Sequence, residues 1–158
     1  MMKKLAIAVS ILLLGLISYS LFGPKPDDRD QILTALKDSI AASKEGRTGS
    51  VLELLSRNFK LNGEGINGSQ VVSMINKYRP NISISNKNPD IDGDKAVIRS
   101  SAALEVSLPP LTLNLDRVSL NFERQQTFHW MIIPSHDWKL VSVSIPDDVM
   151  QQVMSSMN

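Results

Sequence analysis

The 158-residue sequence has no cysteine. That excludes disulfides, thiolate metal sites and a lipid-modified N-terminal cysteine, and it leaves the compartment open, since a chain without thiols is safe in either redox environment. Histidine is scarce: His129 and His136 are the only two. Aromatic residues make up 5% of the chain, and its two tyrosines are Tyr19 and Tyr78. Excess charge of either sign is also missing, with 17 Lys and Arg against 16 Asp and Glu. Lys3 and Lys4 lie ahead of an uncharged segment, so the remainder carries 15 basic residues against those 16 acidic ones. A near-neutral domain without a basic cluster along its sequence excludes nucleic acid as an expected partner.

What is there begins with Leu5 to Gly23, an apolar run without a charge. It is about as long as a helix needs to be to cross the hydrocarbon core. As an uncleaved signal anchor it would keep the N-terminus cytoplasmic, held by the two lysines, and place the remainder outside the cytoplasm. As a cleaved signal peptide, with Ser18 and Ser20 at the small-residue positions, it would release a secreted domain. Both readings export the chain, to the periplasm if the cell is bacterial. Residues 1–23 are thus the expected transmembrane anchor or signal peptide, 24–30 a stiff, charged linker, and 31–158 the domain.

Behind the linker, Ile32, Leu36 and Ile40 recur at four-residue spacing. They predict an amphipathic helix capped by Asp27 or Asp28 and ending near Gly46. Ser50 and Glu53 have capping-box spacing and predict a short helix that buries Val51, Leu54 and Leu55. Ser69 opens a third predicted helix, with Val71, Val72, Ile75 and Tyr78 on one face and Pro80 as its stop.

The C-terminal part alternates as strands do. Ile82 and Ile84 mark a short one, and Lys95 to Val106 a long one. Leu111, Leu113 and Leu115 alternate after Pro109-Pro110. From Val118 to Ile132 the even positions are Val118, Leu120, Phe122, Arg124, Gln126, Phe128, Trp130 and Ile132. A period of two puts that set on one face, with two polar residues in the middle of an apolar row. Pro134 to Asp137 reads as a turn and Trp138 to Ile145 as the last strand. Trp138, Phe122 and Leu36 are expected in one shared core.

Helices first and strands afterwards predict an α+β domain rather than alternating βαβ units. The order of motifs resembles the NTF2-like (cystatin-like, cone-shaped) superfamily. The resemblance is carried by the Leu-rich VLELLSRNFKL of Val51 to Leu61, by the short helix after Gly68, by IDGDKAVI of Ile91 to Ile98 and by DWKLVSV of Asp137 to Val143. It implies three N-terminal helices packed against a strongly bent antiparallel sheet of about four to five strands, with a pocket in the cone. One transmembrane helix precedes them.

No catalytic residue is carried over. Ketosteroid-isomerase-like members of the superfamily need a tyrosine and carboxylates inside an apolar cone, and no position here matches that site or the Asp/His pairs of the hydratase-like members. The candidate ligand-binding residues are Arg124 and Gln126, since an arginine in the pocket would bind an anionic group bidentately. Two other placements fit the same pattern: an open edge where the sheet outruns its helices, or an ion pair between Arg124 and a helix carboxylate. Asp90, Asp92 and Asp94 with Gly93 resemble the start of a calcium loop, but its twelfth position is Ser101 rather than a glutamate, so a hairpin turn is expected. His129 and His136 read as surface residues, and no metal or cofactor is expected. The function expected is a membrane-tethered, extracytoplasmic, non-catalytic binding or assembly module of a cell envelope, touching the membrane through residues 5–23 and open to a protein partner there. The alternative is a small-molecule binder or enzyme that uses the cone.

Overall fold

The computed structural model describes residues 27–107, 110–129, 133–148 and 151. The expected anchor, residues 24–26 of the expected linker, and Trp130 and Ile132 lie outside them. Among the described residues no helix is long and apolar enough to cross a membrane.

Helix α1 spans Asp28–Glu45 and so begins inside the expected linker. It ends at Gly46, whose φ of 76° is left-handed and whose cap N–H reaches back to Ala42 and Ser43 carbonyls. Gly46 and Arg47 connect it to α2, which follows at once over Thr48–Leu54. Its N-cap is Arg47, so the Ser50 and Glu53 pair falls inside the helix instead of opening it. Leu55 is already extended and starts β1 (Leu55–Leu61), which the two-residue β2 (Glu64–Gly65) joins as a hairpin.

Helix α3 covers Gly68–Tyr78. Its cap is Asn67 rather than Ser69. The Asn67 side chain accepts from the Gln70 N–H, and the Gln70 side chain accepts from the Asn67 N–H, both at 2.9 Å. These reciprocal bonds satisfy two backbone donors at the helix start. Arg79 ends the helix in the left-handed region at φ 42°.

The sheet has seven strands, more than the sequence pattern predicts, and it is mixed. The remaining strands are β3 (Asn81–Ile84), β4 (Asp90–Asp92), β5 (Lys95–Ser107), β6 (Pro110–His129) and β7 (Ile133–Ser144). Their order is β2-β1-β7-β6-β5-β3, with β4 paired to β5. All pairings are antiparallel except β1 with β7, which is parallel. The acidic loop is the turn of the β4–β5 hairpin, as expected.

Strand β6 runs through both of the expected alternating stretches. Its inward set changes from odd to even because Asp116 and Arg117 form a bulge, where the partner of β5 jumps from Leu115 to Val118. Arg117 has φ 58°, and a bulge of this kind bends the strand. Pro134 to Asp137, expected as a turn, belongs to β7. At Pro134 that strand pairs only with β6, since β1 joins it no earlier than Leu140. Proline is tolerated where no neighbour on that side needs its N–H.

Helices α1, α2 and α3 lie on one face of the sheet. The core joins Ile32 and Leu36 of α1 and Leu54 of α2 to Phe59, Ile84, Ala96, Ile98, Phe122, Trp138 and Leu140 of the strands. Trp138, Phe122 and Leu36 do share it. The other face is polar where β5 and β6 expose Lys95, Arg99, Asn114 and Asp116.

Candidate functional site

The helices do not fill the sheet's inner face. A cavity of about 340 Å³ remains between α1, α2, α3 and the inward side chains of β1, β3, β5, β6 and β7. Ligand pockets run from about 300 to 1,000 Å³, so the volume is small but sufficient. The wall is aliphatic except for Phe59, Met74, Pro80 and three serines. Met74, at 51% exposure, lies at the rim.

The serines are Ser39, Ser43 and Ser100. Ser43 donates to the Pro80 carbonyl at 3.1 Å. Ser100 accepts from the Asn86 N–H at 2.7 Å and donates to the Ser101 carbonyl at 2.8 Å. Serine acts as a nucleophile only beside a base, and among the described residues the wall holds no histidine, carboxylate, lysine or tyrosine. What this arrangement can do is take up apolar surface.

Arg124 and Gln126 stand outside the wall. Pairing between β6 and β7 is regular from Phe122–Leu140 to His129–Ile133, so Arg124 does face inward with Phe122. It lies opposite Trp138, with the guanidinium 5.1 Å from the indole centroid. Asp28, in the first turn of α1, accepts a hydrogen bond from Arg124 Nη2 through one carboxylate oxygen and from Trp138 Nε1 at 3.1 Å through the other. Asp94 adds a second, longer ion pair to Arg124 at 3.7 Å. Arg124 thus joins the start of α1 to the sheet, the helix-carboxylate pairing that its position allowed. Gln126, two residues on, is exposed. His136 is exposed too.

Sequence order conceals a second feature. A groove of about 950 Å³ lies at the C-terminal ends of α1 and α3, and Lys44, Lys77 and Arg79 all line it. One carboxylate shares the groove, Glu105, which accepts from Asn81 Nδ2 at 2.8 Å. Lys77 Nζ is 4.9 Å from the Tyr78 ring centroid. A hydrogen bond with Tyr78 and the charge attraction to it hold the Lys77 ammonium above its usual range. No local run of basic residues announces this cluster. The spacing of Met74, Lys77 and Tyr78, which puts them on one face of α3, is the only signal in the sequence.

Solved structures share this fold. An NTF2-like protein from Rhodospirillum rubrum superposes with a TM-score of 0.54 at 19% identity, covering 75% of this chain and 96% of that one. The fold is NTF2-like. A conserved protein from Planctomyces limnophilus gives 0.56 at 14% identity over 74% and 93% of the two chains. A putative ketosteroid isomerase from Shewanella frigidimarina gives 0.52 at 16% identity over 72% and 92%. No protein-family model and no curated protein matches the sequence. Identities this low concern the NTF2-like fold and not its activity. Among the described residues no tyrosine or carboxylate lines this cavity: Tyr78 lies in the groove, and Tyr19 lies outside the described residues.

Proposed function

We propose that this protein is a non-catalytic, membrane-tethered NTF2-like domain that binds an apolar ligand in its cone, outside the cytoplasm. The observation that carries the reading is the cavity wall, which is apolar apart from three serines, two of them already bonded to the protein's own backbone. Such a wall gains free energy by removing hydrocarbon from water and offers no group to transfer a proton. Assembly through the outer face of the sheet is less well supported, because the charged residues there are a poor interface core. The tether rests on the uncharged Leu5 to Gly23 run behind two lysines.

The test of binding is ligand-induced stabilisation of the full chain in phosphatidylcholine nanodiscs, with dodecan-1-ol as a neutral apolar probe. A ligand that binds only the folded state raises the melting temperature. Stabilisation of the wild type, lost in Ala102→Phe, is the expected result, since Ala102 lines the cavity and a phenyl group there would occupy it. An equal response from both proteins would refute cavity binding. For the tether, a reporter fused after Asn158 and active only outside the cytoplasm should be active, and activity of a cytoplasm-only reporter would refute export.

A further inference from the structure

We infer that the ligand is an anionic amphiphile, its hydrocarbon chain in the apolar cavity and its charged head in the adjoining groove against Lys44, Lys77 and Arg79. The inference rests on the apolar-ligand reading above and adds the chemistry of the head.

The cavity and the groove are neighbours along three segments of chain. On α1, Ser43 lines the cavity and Lys44 the groove. After α3, Pro80 lines the cavity, and Arg79 and Asn81 on either side line the groove. Along α3, the rim residue Met74 precedes Lys77 and Tyr78 by three and four residues, on the same helix face and about 5 Å of axial rise away. A chain leaving the cavity past Met74 therefore meets Lys77 within a turn of helix. At about 30 Å³ per water-sized group, 340 Å³ accommodates roughly ten methylenes.

The charges in the groove are not spent on each other. Among the described residues neither Lys44, Lys77 nor Arg79 forms a salt bridge, whereas Arg47, Arg99, Arg117 and Arg124 all do. Among the described residues three cations face the single carboxylate of Glu105, a formal excess of two positive charges. The Arg79 side chain passes close to Gly46, where a Cβ would come within 3.3 Å of the Arg79 Nε. A guanidinium and two ammonium groups suit a phosphate, sulfate or carboxylate head. Lys44 and Lys77 also occupy the last turns of their helices, where a cation offsets the negative end of the helix dipole. That role alone would support the helices without distinguishing one ligand from another.

The experiment compares dodecyl phosphate, dodecan-1-ol and inorganic phosphate on the full chain in phosphatidylcholine nanodiscs, read as thermal stabilisation against concentration. Dodecyl phosphate should be preferred over the alcohol by about tenfold, the product of three exposed charge contacts worth roughly a factor of two each. The preference should shrink as salt rises. In Lys44→Ser/Lys77→Ser/Arg79→Asn it should vanish through weaker binding of the phosphate ester alone. Asparagine tolerates the left-handed backbone at 79. Should the triple variant fail to fold, Lys44→Ser/Lys77→Ser should lose about three-quarters of the preference, two factors of roughly two, by the same reckoning. Equal binding of ester and alcohol by the wild type, or a preference that survives the substitutions, would overturn the proposal. Stabilisation by inorganic phosphate as strong as by the ester would also overturn it, since a free anion would then be the ligand. Failure of both dodecyl compounds to bind would instead remove the apolar-ligand reading itself.

Discussion

Asp28 offers the sharpest test of how the start of α1 is held to the sheet. Its carboxylate accepts from both Arg124 and Trp138, so Asp28→Ala removes two interactions together. The ion-paired side chains are 30% and 36% exposed, so solvent screening reduces that pair to about 0.5–1 kcal/mol. Trp138 is 4% exposed, and leaving its indole N–H without an acceptor costs about 1–3 kcal/mol. Asp28→Ala should therefore destabilise the fold by about 2–4 kcal/mol. Asp28→Asn retains an acceptor for the indole and should cost only about 1 kcal/mol. Arg124→Met loses the ion pair and the contact over the ring, for about 1–2 kcal/mol. The remaining Asp28 carboxylate is partly open to water and still bonded to Trp138, so the larger penalty of a fully buried orphan charge does not apply. Urea denaturation of the four proteins, followed by far-ultraviolet circular dichroism, gives the differences. The double variant Asp28→Ala/Arg124→Met should show a coupling of about 1 kcal/mol. An Asp28→Ala protein within about 0.5 kcal/mol of wild type would refute the pairing.

Three further substitutions probe the frame around the cavity. Trp138→Ala should cost about 3–5 kcal/mol in the same assay, the range for a truncated core aromatic, and a loss below about 1 kcal/mol would place the ring outside the core. Asn67→Ala removes the cap of α3 and should cost about 1 kcal/mol, while Ser69→Ala should cost less than half as much, because the Ser69 hydroxyl only donates to the Asn67 side chain and accepts from no backbone N–H of the helix start. Gly46→Ala meets both a left-handed backbone and the Arg79 side chain. It should destabilise by about 1–2 kcal/mol, and a neutral effect on melting would contradict the left-handed cap described for Gly46.

Local periodicity determined more of this protein than its weak motifs suggest. The odd row Leu111, Leu113 and Leu115 and the even row from Val118 were legible, since side chains alternate by geometry alone. The bulge at Asp116 and Arg117 accounts for their change of parity. The same alternation turned Arg124 inward. Its partner was not legible, because Asp28 lies 96 residues away and only the docking of α1 onto the sheet brings the two together. Strand β1 was missed for a similar reason. LSRNFKL has no clean alternation, and its place is set by parallel pairing with β7 at the other end of the chain. The helix caps went to Asn67 and Arg47 instead of Ser69 and Ser50, since several polar residues competed for each start and backbone geometry chose between them. The cavity and the basic groove belong wholly to the tertiary structure. A cavity is the volume left when helices and sheet pack without meeting everywhere, which no residue encodes singly. Lys44, Lys77 and Arg79 converge because two helices end side by side, so their charges add in space while remaining apart in the sequence.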